Sequence, residues 1–158
     1  MASTMPEEEA RFVEDMGIIL EADGRPRIAG LILGWLLICD PPHQSFNSLV
    51  ATLGVSKGSV SSMTRLLMEA GMIERYAVRG DRQTFYRLAP DAWVRALQRQ
   101  VKAMEQVMAA AERGLALVEG RGAEADRWRL REMRDLNQIA ARQMPTLIEE
   151  FERSRRDS

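Results

Sequence analysis

A mainly α-helical chain with one small β-hairpin is predicted by three features of the sequence. Apolar residues recur at three- and four-residue spacing through most of the 158 residues, the mark of one-sided helices. A single pair of runs rich in β-branched and aromatic residues, Ile73–Val78 and Gln83–Leu88, flanks the turn-forming Arg79-Gly80-Asp81-Arg82. After that pair, two long apolar stripes run almost to the C-terminus.

Pro6 to Leu20 reads as the first helix, with proline at its start, glutamates in its first turn, and Phe12, Met16, Ile19 and Leu20 on one side. Asp23-Gly24 ends it. The run Ile28 to Cys39, IAGLILGWLLIC, is almost wholly apolar but too short to cross a bilayer. It is predicted to be a helix buried on nearly all sides, with Gly30 and Gly34 allowing close packing. Asp40-Pro41-Pro42 stops it, because proline cannot continue a helix and restricts the residue before it.

Ser45 to Leu53 is the next predicted helix, with Phe46, Leu49, Val50 and Leu53 inward. Gly54 stands where a left-handed residue is wanted, and Ser56 can cap the following helix. In that second helix Val60, Met63, Leu67 and Ala70 share one face. The opposite face presents Gly58, Ser61, Ser62 and Arg65, with Lys57 in the first turn, and Gly71 closes the helix. Small residues let a helix approach a polyanion, serines reach phosphates or base edges, and arginine forks onto guanine. Arg79 and Arg82 on the narrow hairpin tip suit a minor groove, whose negative potential attracts guanidinium. The bland reading of the tip is a solvated turn.

These residues resemble the winged helix-turn-helix of MarR-type transcription regulators, and within them the GbsR-like branch. The resemblance rests on Gly24-Arg25-Pro26-Arg27, on Leu49…Leu53-Gly54-Val55-Ser56-Lys57-Gly58-Ser59-Val60-Ser61, and on Gly80-Asp81-Arg82 between aromatic strands. It spans about 24–88. Val50 stands where alanine is usual, and Ser62 where arginine is common. The resemblance implies a dimer reading a pseudo-palindromic operator in double-stranded DNA as a repressor or activator. It also implies DNA contact for Ser56, Lys57, Gly58, Ser59, Ser61, Ser62, Arg65 and Arg82.

Composition agrees with a soluble globular protein, at 46% hydrophobic and 28% charged residues. The net charge of −1 argues against a polyanion partner until its distribution is considered. Residues 1–23 hold seven acids and one base, whereas 44–90 holds six bases (Lys57, Arg65, Arg75, Arg79, Arg82 and Arg87) against three acids. Local charge governs phosphate affinity more than the total does. The one cysteine, Cys39, fits a reducing cytosol and reads as a core residue. His43, the one histidine, reads as a loop residue at the solvent edge, so neither zinc nor any other metal or cofactor is expected. No catalytic constellation is visible and no enzyme is expected. The acidic N-terminus is unlike a secretory signal, and a cytoplasmic protein is predicted.

Asp91 to about Val118 is predicted to be one long helix, with Trp93, Leu97, Val101, Met104, Met108, Ala111 and Leu115 on a near-heptad rhythm. Gly120-Arg121-Gly122 breaks it. A second helix from about Ala123 carries Leu130, Met133, Leu136 or Asn137, Ala140, Met144, Leu147 and Phe151 on one side, with a kink or restart at Pro145 and a fraying tail from Arg153. Burying each large side chain of such a seam stabilises by ~1.5–3 kcal/mol. A partner chain is its natural cover, which makes Trp93, Leu97, Val101, Met104, Met108, Leu115, Leu130, Met133 and Leu147 the predicted dimerisation residues. The alternative is an intramolecular helical hairpin folded onto the N-terminal helices.

The chain is thus predicted to divide into N-terminal helices (1–44), a DNA-binding winged helix-turn-helix (45–90) and long dimerisation helices (91–158). A small-molecule effector, without any membrane partner, is expected to act where the 91–118 helix meets the helix containing Trp35. Trp35 and Trp93 are the candidate ligand-binding residues there. GbsR-like relatives are associated with choline-type quaternary amines, and aromatic rings attract such cations. Tryptophan at helical spacing is more often core. The rival function is a winged-helix module that binds another protein and not DNA.

Overall fold

The computed structural model describes residues 5–119 and 127–157. In chain order the elements are α1 Glu7–Ala22, α2 Arg27–Ile38, β1 Gln44–Ser45, α3 Phe46–Leu53, α4 Lys57–Glu69, β2 Ile73–Tyr76, β3 Phe85–Leu88, α5 Ala92–Val118 and α6 Trp128–Asp157. The chain is mainly helical with one small antiparallel sheet, as predicted. It divides into two units, the first ending at Trp93 and the second beginning at Val94.

The first unit is built around α2. Seven of its twelve residues are buried, Ile32 and Ala29 completely. It lies against α1, α3, α4 and β3. A Cβ on Gly30 would stand 2.5 Å from the Met16 carbonyl oxygen and 2.7 Å from the Gly17 Cα, so α1 and α2 meet backbone to backbone. One on Gly34 would press on the Met16 side chain at 2.9 Å. Cys39, just past α2, is buried as expected, and that burial pushes its thiol pKa up.

Ser45 does not begin a helical turn. It caps α3 by accepting a hydrogen bond from the Ser48 amide at 3.0 Å, and with Gln44 it forms β1. The sheet therefore has three strands where two were predicted, in the order β1-β3-β2. Gln44 pairs with Tyr86 and Ser45 with Phe85, and the Phe46 amide donates to the Thr84 carbonyl at 2.9 Å. A strand of two residues has no alternation to read.

The hairpin strands are two residues shorter each than predicted, and pair from Ile73↔Leu88 to Tyr76↔Phe85. The loop is correspondingly longer, because Asp81 draws residues 81–83 into a turn of its own, accepting the Gln83 amide at 2.8 Å. His43 is half-buried, with its ring centroid 4.9 Å from that of Tyr76 and 5.4 Å from that of Phe85, so it lies against the root of the hairpin.

In the second unit, Leu130 of α6 fills the space left by Gly114 of α5, at 3.0 Å from where a Cβ would be. The predicted break at 120–122 and helix start near Ala123 lie outside the described residues. Helix α6 passes through Pro145 without restarting, and it continues to Asp157 where fraying from Arg153 was expected. Pro145 is on the exposed side, where water can satisfy the carbonyl that loses its donor. Arg155 and Arg156 in the last turn suit the helix dipole, and the Arg155 guanidinium is 5.9 Å from the Phe151 ring. Among the described residues no helix is long and apolar enough to cross a membrane.

Gly30→Ala should lower the unfolding free energy by ~1–3 kcal/mol, the usual cost of overpacking, because its methyl would meet backbone and not a movable side-chain end. Urea denaturation followed by circular dichroism checks this, with Gly58→Ala, where a Cβ meets only open space and the Ser56 hydroxyl at 3.9 Å, as the mild control.

Candidate nucleic-acid interface

Helix α4 is divided lengthwise. Val60, Thr64 and Leu67 are buried beneath it. Thr64, unremarked in the sequence, takes part in this inner face because its hydroxyl donates to the Val60 carbonyl at 2.8 Å and so enters the core satisfied. Met63 and Ala70, predicted inward, are half-buried at its margins. On the other side Ser56, Lys57, Gly58, Ser61, Ser62 and Arg65 are exposed, and Ser59 is half-buried. Among the described residues of the first unit, none closes this face off from solvent.

The start of α4 is fixed by its own serines. Gly54 adopts φ 63°, which lets the chain reverse tightly out of α3. Ser56 then accepts the Ser59 amide at 3.1 Å, and the two hydroxyls lie 2.9 Å apart. Ser56 and Ser59 are therefore partly committed to the cap. The hydroxyls of Ser61 and Ser62 have no partner among the described residues, so they are available to a ligand.

At the hairpin tip the Asp81 amide donates to the Val78 carbonyl at 3.1 Å, with Gly80 at φ 86° in the third position of the turn. Arg79 and Arg82 are exposed on either side of this turn. Arg87 belongs elsewhere: it pairs with Glu74 at 2.6 Å and stacks 4.4 Å above the Tyr76 ring. The free positive charge of this face and of the hairpin tip is thus Lys57, Arg65, Arg79 and Arg82, none ion-paired among the described residues. Cations with no internal counter-charge make a standing site for a polyanion.

A cleft of about 550 Å³ opens beside α4, lined by Pro26, Arg27 and Ile28 on one wall and by Ser56, Gly58, Ser59, Ser62 and Met63 on the other. From the sequence, Gly24–Arg27 has only a place in a motif. Its nearness to α4 follows from tertiary packing of α2 on α4, which no local pattern announces.

The second unit presents apolar surface. Met133 and Leu147 are exposed, as is Trp93 at the end of the first unit, and Leu97, Val101, Met104, Met108, Leu115 and Leu130 are half-buried. Leu117, Trp128, Leu136 and Ile139 add further exposed apolar area, and α6 contains no buried residue. Trp93 and Trp128, 42% and 56% exposed, are not core residues of this chain. Trp35 is half-buried, and its indole Nε1 is shut off from solvent without an acceptor among the described residues.

Residues 91–154 match the family model described as MmpR5-like MarR family transcriptional regulator. The chain is 43% identical over 125 residues to HTH-type transcriptional regulator MmpR5 of Mycobacterium tuberculosis (strain ATCC 25618 / H37Rv), covering 79% of this chain and 75% of that protein. It is also similar to a solved structure titled "Crystal Structure of a transcriptional regulator", with a TM-score of 0.80 and 37% identity, over 92% of this chain and 99% of the other.

Ser56→Ala should cost about 1 kcal/mol of unfolding free energy through loss of the cap. Ser56→Asp keeps the cap and the stability but places a negative charge on the reading face, so affinity for duplex DNA should fall. Urea melts paired with fluorescence-polarisation titration check both. Equal DNA affinity for Ser56→Asp and wild type would remove the start of α4 from the interface.

Proposed function

This chain belongs to the MmpR5-like MarR family of transcriptional regulators, which are DNA-binding proteins and not enzymes, and from that membership we propose that it acts as a homodimer on a pseudo-palindromic operator. In this reading α4 enters the major groove, and Arg79 and Arg82 reach the adjoining minor groove. The observation that carries it is the bare face of α4: Lys57, Ser61, Ser62 and Arg65 stand exposed over a buried Val60–Thr64–Leu67 seat. Base edges are read by Arg65 and the free hydroxyls, while Lys57 and the wing arginines neutralise phosphate.

The dimer is supported by α6, thirty residues long with none buried. A two-fold pair would cover Trp93, Met133 and Leu147 and set two reading helices on half-sites one DNA turn apart, roughly 34 Å. The GbsR-like branch is the narrower reading within the family, supported by the Gly24–Arg27 and Leu49–Ser61 motifs alone.

Control by a small-molecule effector near Trp35 and Trp93 is supported by the buried Nε1 of Trp35. An unsatisfied buried donor costs ~1–3 kcal/mol, so a ligand bringing an acceptor would gain by meeting it. A carbonyl, carboxylate or hydroxyl oxygen on such a ligand would supply that acceptor.

Arg82→Ala should weaken DNA binding several-fold at low salt, with the difference from wild type shrinking as salt rises and counterions take over its contact. A polarisation titration across a salt series reads this, and unchanged low-salt affinity would remove the wing from the interface. Leu147→Asp, at a site 47% exposed in the single chain, should leave helix content intact and raise the monomer fraction. Sedimentation velocity checks it, and a wild-type profile would put Leu147 outside the seam.

A further inference from the structure

We propose that the cleft between the start of α2 and the first two turns of α4 seats a DNA phosphodiester group, with Arg27 as its cation and Glu14 as an internal competitor that holds Arg27 when DNA is absent. The proposal rests on the DNA-reading role of α4 and adds to it a contact from α2 and a brake from α1.

The position of the cleft carries the first step. Its inner wall is made of Ser56, Gly58, Ser59 and Ser62, which also border the reading face, and its outer wall is Pro26–Ile28. A helix with side chains is about 10–12 Å across and the major groove about 12 Å wide, so a helix in the groove has phosphates along its flanks. Whatever stands immediately beside α4 therefore stands next to a sugar–phosphate strand. Gly58 and the serines keep that flank low, and Arg27 is the one charged residue lining the cleft.

The second step is the present engagement of Arg27. Its stem crosses α1 at Gly17, where its Cγ lies 3.1 Å from the position a Cβ would take, and its guanidinium pairs with Glu14 one turn earlier. Both side chains are about half exposed, at 46% and 52%, so water and salt screen the pair and it adds little to the fold. A phosphate in the cleft offers Arg27 an equivalent partner in a geometry that guanidinium binds well. Releasing Glu14 leaves its carboxylate facing solvent at slight cost. Until Arg27 is drawn away, Glu14 cancels a charge that would otherwise attract any DNA, which raises the threshold for non-specific binding.

The test uses the full-length protein and a fluorescein-labelled duplex that the wild type selects from a random-sequence library, together with an unrelated duplex of the same length. Arg27→Ala should weaken binding to both duplexes by the same factor, because phosphate contacts carry no sequence information. It should also make the slope of log K against log salt shallower by about two for a dimer, one per chain. Glu14→Gln should tighten binding to both duplexes, and this gain should vanish in the Arg27→Ala background. Arg27→Lys, which keeps the charge, should retain most of the affinity and serves if Arg27→Ala does not fold. Unchanged affinity and slope for Arg27→Ala overturn the proposal, as does a Glu14→Gln gain that survives without Arg27. If Arg82→Ala and Ser61→Glu lose affinity while the Arg27 variants do not, the reading face stands and the phosphate seat falls. A wild type that selects no duplex overturns both.

Discussion

Helix α2 is buried on nearly every side only because Gly17, Gly30 and Gly34 let α1 lie against it backbone to backbone. That contact settles much else in the first unit. With one side of α2 closed by α1, its remaining sides receive α3, α4 and β3. The seat for α4 is thus an apolar surface, and the residues of α4 that fit it are Val60, Thr64 and Leu67. A helix held along one stripe must present the opposite stripe outward. The exposure of Lys57, Ser61, Ser62 and Arg65 is therefore a consequence of packing on α2 as much as of their own polarity.

The charge of the molecule is organised by the same packing. An overall charge of −1 would repel a polyanion weakly, but the acids of 1–23 and the bases of the reading surface lie on different elements. Within a Debye length of about 8–10 Å an incoming phosphate responds to the nearest cations and little to remote carboxylates. Where acid and base do meet, the base is neutralised: Arg87 on Glu74, Arg25 on Asp23, Arg27 on Glu14. Lys57, Arg65, Arg79 and Arg82, on the outer face of α4 and on the hairpin tip, have no such partner among the described residues. These uncompensated cations give a positive surface that the sequence total conceals.

What was legible in the sequence was what local chemistry decides. Gly54 and Ser56 announced the turn and cap between α3 and α4, and both act as their residue types require. The spacing of Val60 and Leu67 announced the buried side of α4. What could not be read depends on residues far apart in the chain. The two-residue β1 exists because Gln44 and Ser45 happen to lie beside Tyr86 and Phe85. Arg27 lines the cleft only because α2 packs on α4. Thr64 was missed for a different reason, since a hydroxyl looks polar in a pattern and becomes core once the Val60 carbonyl satisfies it. The restart allowed at Pro145 and the fraying expected from Arg153 are both absent from α6, because breaker rules assume a buried or unsupported helix and this one is exposed at the proline and charge-matched at its end.

The second unit poses a stability question that its own residues do not answer. Most helical stability in proteins comes from packing an apolar face and little from propensity. Helix α6 is about 45 Å long at 1.5 Å per residue, and it buries none of its thirty residues within the chain. Trp128, Met133, Leu136, Ile139 and Leu147 stand exposed along it. In the proposed dimer such a helix would draw its order from a second copy, which is always present at matching concentration. A two-fold arrangement also uses each apolar residue twice, so a modest stripe yields a large buried area. The same duplication applies to DNA in the proposed dimer. Every side chain on the outer face of α4 would occur twice per complex, and the free energy of each contact would enter twice. Serines and a single arginine, each a weak reader alone, then suffice for recognition by the pair.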